Sequence, residues 1–234
     1  RMLAPTRRAW QRQNEFVAAA GHELRSPLAV IEASEVMEMP QEPDYKAAYE
    51  ILDGALREAD RLARLTGDLQ LLAAGDAGAL TVRPGPVAAD TLCIEVYEQF
   101  YLLARAQGRR LTLQLPEAPL PPLVTDGGRL TQLLTVLLQN ALDHTPPGTP
   151  VELTLQPAPG RLRLRVIDHG PGIPDDRKEQ VFDRFFRADA SRTRKENFGL
   201  GLSVARELAR GLGAALTLAD TPGGGATFTV DLPA

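Results

Sequence analysis

Phe16-Val-Ala-Ala-Ala-Gly-His22-Glu23-Leu24-Arg25-Ser26-Pro27-Leu28 sets a histidine beside an acid, one turn before a proline, inside an otherwise helical run. At about 100° per residue, Phe16, Val17, Ala20, Leu24, Leu28 and Ile31 gather on one helix face, and His22 points away from them. Ser26, four residues on, shares the histidine's side. Pro27 has no N–H for the carbonyl of Glu23 and crowds it, so a kink is predicted where the imidazole must be reached. An outward imidazole flanked by a carboxylate and a hydroxyl is a phosphate-acceptor pattern.

Outward from this stretch, two long amphipathic patterns cover roughly 6–38 and 44–74, separated by Met39-Pro-Gln-Glu-Pro-Asp44, where two prolines end a helix. They predict a helical hairpin. In the second pattern Leu52, Ala55, Leu56, Ala59, Leu62, Ala63, Thr66 and Leu69 form a stripe too wide to bury within two helices, so a second hairpin must cover it. A homodimeric four-helix bundle is the economical solution.

Ala73-Ala-Gly75-Asp-Ala-Gly78-Ala reads as a small-residue linker, after which helices interleave with short alternating strands. The expected domains are 1–75, the helical hairpin, and 76–234. In the second, helices are predicted near 87–107, 126–143 and 200–211, and strands near 111–115, 151–156, 161–167, 214–219 and 226–232. Pro157-Ala-Pro-Gly160 joins two strands as a hairpin. The fold class is α+β: a hairpin bundle followed by an α/β sandwich with a helix layer on a mixed sheet.

Thirty acidic against 26 basic side chains, a net charge of -4, leave no electrostatic footprint for nucleic acid, and the arginines are scattered. The single cysteine, Cys93, lies among apolar neighbours and reads as core in a reducing compartment; it excludes a disulfide or zinc site. No run of about 18 apolar residues is present to span a membrane. The chain begins at Arg1 and carries Arg7, Arg8 and Arg12 close behind, which suggests a catalytic core cut from a longer protein.

Four further motifs follow in order: Asp168-His-Gly170-Pro-Gly172, Phe182-Asp-Arg-Phe185-Phe186-Arg187, Gly199-Leu200-Gly201-Leu, and Gly223-Gly-Gly225-Ala-Thr-Phe228. With His22-Glu-Leu-Arg-Ser-Pro-Leu28 they resemble the H-box, first glycine box, F-box, second glycine box and closing glycine turn of the cytoplasmic core of two-component sensor histidine kinases. The resemblance covers nearly the whole chain. It implies the ATP-binding sandwich shared with gyrase-type ATPases and heat-shock chaperones, ATP and Mg2+ as cofactors, a homodimer through the N-terminal helices, and a response regulator receiver domain as partner. It also implies that this is the cytoplasmic portion of a bacterial inner-membrane sensor, with membrane segments outside this sequence.

The residues can be read beside that resemblance. Leu130, Leu133, Leu134, Leu137, Leu138 and Ala141 define the buried face of one helix, and Asn140 falls on its flank with Val136, Asp143 and His144, a flank able to line a cleft. An asparagine carbonyl is a hard oxygen ligand suited to magnesium, and Asn140 matches the family's magnesium-binding asparagine; alone it reads as an amide near a helix end. Asp168 ends an apolar strand before Gly170 and Gly172, where the backbone can approach a planar ligand. The resemblance makes it the acceptor for the adenine amino group, against the plainer role of a turn cap. Gly199, Leu200 and Gly201 open a helix whose free amides can meet phosphate, although a glycine there is often only a cap. Arg187 matches the F-box arginine at the terminal phosphate, and 188–197, which has the composition of a mobile segment, reads as the ATP lid against the plainer reading of a solvated loop.

At neutral pH the His22 imidazole offers a lone pair for in-line attack on phosphorus. Glu23 accepts the proton of the other ring nitrogen or fixes the tautomer, and Ser26 can orient a water against an acyl phosphate. Three positions depart from the family. Val136 stands where a first asparagine is usual, Asp143 replaces a basic residue, and Glu196-Asn197-Phe198 replaces glycines before Gly199. Two readings follow: autophosphorylation on His22 with transfer to a regulator aspartate, or a weak kinase or pseudokinase scaffold acting mainly as a regulator phosphatase or binding platform. A hydrolase ranks lower, because a glutamate base would have to stand where Val136 does.

Overall fold

A computed structural model of the chain describes residues 19–21, 23–24, 27–29, 45–187 and 198–234. His22, Ser26, the prolines of the predicted turn at 39–44 and the predicted lid at 188–197 lie outside the described residues. The chain divides into two compact units, Arg1–Gln70 and Leu71–Ala234.

In the first unit residues 19–21, 23–24 and 27–29 are helical, as the pattern around the histidine predicts. Helix α1, Tyr45–Asp76, continues for 32 residues and supplies the last six to the second unit. Leu65 is wholly buried, while Leu52 and Leu56 are 59% and 57% exposed, and Ala59, Ala63 and Thr66 continue that open seam. The stretch Ala73-Ala-Gly-Asp76 forms the final turn of α1 where composition predicts a linker. Its small residues serve close packing: a Cβ on Gly75 would lie 2.1 Å from the Glu207 carboxylate.

The second unit runs β1 Gly85–Val87, α2 Ala89–Ala106, β2 Arg110–Gln114, β3 Leu123–Thr125, α3 Gly127–His144, β4 Pro150–Ala158 and β5 Arg161–Asp168. Two 3-10 turns, Asp175–Arg177 and Gln180–Phe182, precede α4 Gly201–Gly211, β6 Ala215–Asp220 and β7 Ala226–Pro233. Five strands form one sheet in the order β2-β4-β5-β7-β6, with β2 and β4 parallel and the other pairs antiparallel; β1 and β3 make a separate antiparallel pair. The α+β architecture is the one the sequence predicts. The short pair β1–β3 is absent from that prediction, because three-residue segments beside Pro84, Pro86, Pro121 and Pro122 show no period.

Alternation builds the core. Leu162, Leu164, Val166 and Asp168 of β5 are buried while Arg161, Arg163 and Arg165 face the other way, and Leu162, Leu164 and Val166 pair with Leu232, Val230 and Phe228 of β7. Leu130, Leu133, Leu134, Leu137, Leu138 and Leu142 of α3 are fully buried, each contributing about 1.5–3 kcal/mol by leaving water. Cys93 is fully buried and its thiol is pushed up to about 12, chiefly by desolvation, in keeping with a packing role. In the β4–β5 hairpin Pro157 pairs with Leu162 and Ala158 with Arg161, so the turn tightens to Pro159-Gly160, with Gly160 at φ 65°. Pro157 is tolerated because β4 outlasts β2 there and has a neighbour on one side only.

Candidate functional site

Asp168 is the last inward position of β5, so strand periodicity alone carries a carboxylate to the end of an apolar layer. It is 7% exposed. Its Oδ1 accepts from the backbone N–H of Gly170 at 2.9 Å and of Ala226 at 3.2 Å. Oδ2 receives no hydrogen bond among the described residues, so it can accept a further donor. Burial raises the carboxyl above its ordinary range, against the lowering effect of those two N–H groups and, more weakly, of His169 and His144.

Close backbone approaches join this carboxylate to α3 and to the glycine turns. A Cβ on Gly170 would stand 3.4 Å from the His144 carbonyl oxygen and 3.6 Å from Thr145 Cα, so the turn after β5 lies against the C-terminal end of α3. Gly172, at φ 73°, passes the Gly225 carbonyl in the same way, with a Cβ only 3.2 Å away. About two turns back along α3, Val136 approaches the first residue of α4, 3.5 Å from a Cβ on Gly201. Asn140 lies between these two approaches on the same flank, half-buried, and its side chain makes no hydrogen bond among the described residues. Asp143 accepts from Gln139 Nε2 at 3.0 Å on that flank, and His144 is exposed at its end.

Among the described residues no side chain caps the N-terminus of α4. Leu200, at the cap position, is buried, and Ser203 donates its hydroxyl to the Leu200 carbonyl at 2.7 Å instead of accepting from a backbone amide. The first amides of α4 therefore remain available to an anion. Gly199 precedes them at φ 70°, crossing the Phe185–Phe186 backbone so tightly that a Cβ would lie 2.7 Å from the Phe186 carbonyl oxygen. Arg187 follows that crossing, half-buried, with Nε enclosed and lacking a hydrogen-bond partner among the described residues. Phe182 packs edge-on against Phe228, ring centroids 6.2 Å apart, and belongs to the core.

The chain thus brings Asn140, His144, Asp168, Gly170 and Gly172 to one end of α3, and Gly199, Leu200 and Gly201 to the middle of the same helix. Glu23 is half-buried in the first unit. A concavity of about 720 Å3 lined by Lys178, Phe182, Asp183, Arg206 and Thr217 shares none of these residues. Its cations are already committed, Lys178 to Asp175 and Asp220, and Arg206 to Asp183.

Two family matches meet this geometry. The His Kinase A (phospho-acceptor) domain matches residues 12–78, and the histidine kinase-, DNA gyrase B- and HSP90-like ATPase domain matches residues 125–234. The chain is 36% identical over 220 residues to the probable sensor histidine kinase TcrY of Mycobacterium tuberculosis, covering 94% of this chain and 45% of TcrY. The chain belongs to the two-component sensor histidine kinases. It spans about half the length of the curated relatives it matches. Full-length ShkA in complex with AMPPNP has the same fold at a TM-score of 0.70 and 27% identity, over 94% of this kinase core and 45% of that chain. ThkA in complex with the response regulator TrrA matches at a TM-score of 0.71 over 97% of this chain and 63% of that one; at 22% identity it speaks to the fold alone.

The kinase core holds two site features that the sequence did not disclose. Ala226 donates to Asp168 from 58 residues away, and Thr145 Oγ1, beside Gly170, is buried without a hydrogen-bond partner among the described residues. Strand register hides the first. The second carried a weak signal, a threonine directly after the last helical residue.

Proposed function

We propose that this kinase core transfers the terminal phosphoryl group of ATP to His22 and then donates it to an aspartate of a response regulator receiver domain. Residues 1–75 act as the dimerisation and phosphotransfer hairpin and residues 76–234 as the ATP-binding domain. The observation that carries the reading is Asp168. A buried carboxylate with two backbone donors on Oδ1 and, among the described residues, none on Oδ2 is suited to accept a further N–H, and the adenine amino group supplies one where guanine offers a carbonyl. Gly170 and Gly172 keep the backbone low beside the base. The start of α4, with Gly199, Leu200 and Gly201 and no side-chain cap among the described residues, receives the phosphate chain, and the Nε of Arg187, without a hydrogen-bond partner among the described residues, is a donor for the terminal phosphate.

Asn140 fits a magnesium ion, because its amide oxygen is a hard, uncommitted donor and Mg2+ takes few protein ligands. Bound there, the metal would neutralise charge on the phosphate chain. Glu23 sets the tautomer of His22, whose lone pair attacks in line, and Ser26 serves the reverse, hydrolytic branch. The open seam of Leu52, Leu56, Ala59 and Ala63, with Leu28 48% exposed, supports a homodimer through the N-terminal helices. The relatives being sensor kinases supports a place on the cytoplasmic side of a bacterial inner membrane.

A second reading, a slow kinase weighted toward phosphatase or scaffold duty, is favoured by Val136 of α3, which meets the start of α4 with no polar atom, and by the acid Asp143 on the ligand flank. One assay addresses both. Incubation with labelled ATP and magnesium should give an acid-labile, base-stable label on the intact chain. His22→Gln should lose that label while still binding nucleotide; label retained in the variant refutes the acceptor assignment, and no label in the wild type favours the scaffold.

A further inference from the structure

Asp76 and Arg184, 108 residues apart, form a bidentate ion pair, Nη1 to Oδ2 at 2.8 Å and Nη2 to Oδ1 at 2.7 Å. Asp76 is the last residue of α1, and Arg184 lies in the turn leading to Arg187. The end of α1 is well seated in this unit. Leu71 and Leu72 are buried, Arg210 Nη2 donates to the Gly75 carbonyl at 2.9 Å, and Gly75 itself has no room for a Cβ beside Glu207. With no basic residue in its own last turn, α1 has the C-terminal end of its dipole met by these two arginines.

The turn on the other side of the pair is strained. Phe185, the residue after Arg184, has φ 61°, the left-handed region that a non-glycine residue adopts only when its surroundings hold it there. Gly199 closes on it from one side. The Asp76–Arg184 fork holds the preceding residue from the other, fixing both its place and its plane. Two residues beyond Phe185 stands Arg187, whose buried Nε has no hydrogen-bond partner among the described residues.

We infer that Arg184 is a positioning residue: its pair with Asp76 keeps Phe185 left-handed and so aims Arg187, making the end of α1 a determinant of how strongly the site prefers a triphosphate over a diphosphate. The inference rests on the reading of Arg187 as the donor to the terminal phosphate. Because the side chain of Asp76 is 62% exposed, the pair contributes little to global stability, and its loss changes aim rather than fold.

The test is calorimetric titration of the intact chain with AMPPNP and with ADP, each with magnesium. Asp76→Ala and Arg184→Ala should each weaken AMPPNP about fivefold and leave ADP within about twofold. Arg184→Lys, which keeps the charge and loses the fork, should fall between, and exchanging the charges as Asp76→Arg with Arg184→Asp should restore part of the preference. Equal loss of both nucleotides, or no loss of AMPPNP, overturns the inference. Arg187→Ala separates it from its premise: if that variant keeps the triphosphate preference, the reading of Arg187 fails, whereas if it loses the preference and Asp76→Ala does not, only the positioning role fails.

Discussion

Asp126 and Asp168 each accept two backbone N–H bonds, yet their carboxyls shift in opposite directions. Asp126 caps α3, taking the Arg129 N–H on Oδ1 at 3.0 Å and the Arg83 N–H on Oδ2 at 2.8 Å. The Arg83 bond leads in holding it below the usual carboxylate range, because the group is open to water. Asp168 takes both donors on one oxygen at the end of a buried strand face, and desolvation prevails over them. Both oxygens of the first serve the fold. The second commits one oxygen to the fold and has, among the described residues, no donor on the other, an electrostatic disadvantage that a further donor would relieve.

The most damaging way to break that contrast is Asp168→Asn. The two backbone donors fix the amide oxygen at the Oδ1 position, which turns the NH2 toward the adenine amino group, donor against donor. Loss of a hydrogen bond to a charged acceptor is worth about 1.5–3 kcal/mol, so ATP affinity should fall about ten- to a hundredfold in a calorimetric titration. Folding stability should not fall with it. A carboxyl raised in the folded state keeps its proton longer there than in the unfolded chain. Asp168 therefore subtracts stability as pH rises from its ordinary value of 3.8 through the raised one. Denaturant unfolding across that window should show the decline in the wild type and its absence in Asp168→Asn; a variant that loses stability and keeps ATP would make Asp168 a plain turn cap.

Asp126→Ala should give the complementary result. Removing an N-cap costs about 1 kcal/mol of stability, with ATP affinity unchanged. Its pH sign is the reverse: a depressed carboxyl contributes stability above 3.8 that disappears as pH falls through the lowered value. Urea unfolding at pH 7 and pH 3 checks this, since wild type and variant should converge at the lower pH. An effect on ATP equal to that of Asp168→Asn would abolish the distinction between the two aspartates.

The same contrast explains what could be read in advance. The helix at 126–143 and the strands at 151–156, 161–167 and 226–232 follow from leucine and alternation periods, and they lie within about two residues of the observed α3, β4, β5 and β7. Asp168 was legible because a motif marks it. Ala226 as its second donor was not, since the β5–β7 register is a long-range pairing. Asp76–Arg184 was hidden for the same reason, and Ala73–Asp76 read as linker because small residues look flexible until their partner, here Glu207, is known.

Asp143 sharpens the comparison with the smallest expected effect. It is a third aspartate, but it accepts from a side-chain amide, Gln139 Nε2 at 3.0 Å, and it sits half-buried three residues from Asn140 on the flank proposed to face the nucleotide. It stands in the last turn of α3, so a change of its charge is felt on that flank. An acid there repels phosphate across partly solvated space, where one charge contact is worth about 0.2–1 kcal/mol. Reversing the sign with Asp143→Lys should therefore tighten ATP about two- to tenfold at low salt, and the gain should shrink as ionic strength rises. Titrations at two salt concentrations decide it: a gain indifferent to salt would come from packing, and no gain would remove Asp143 from the account of a slow kinase, leaving Val136 to carry it.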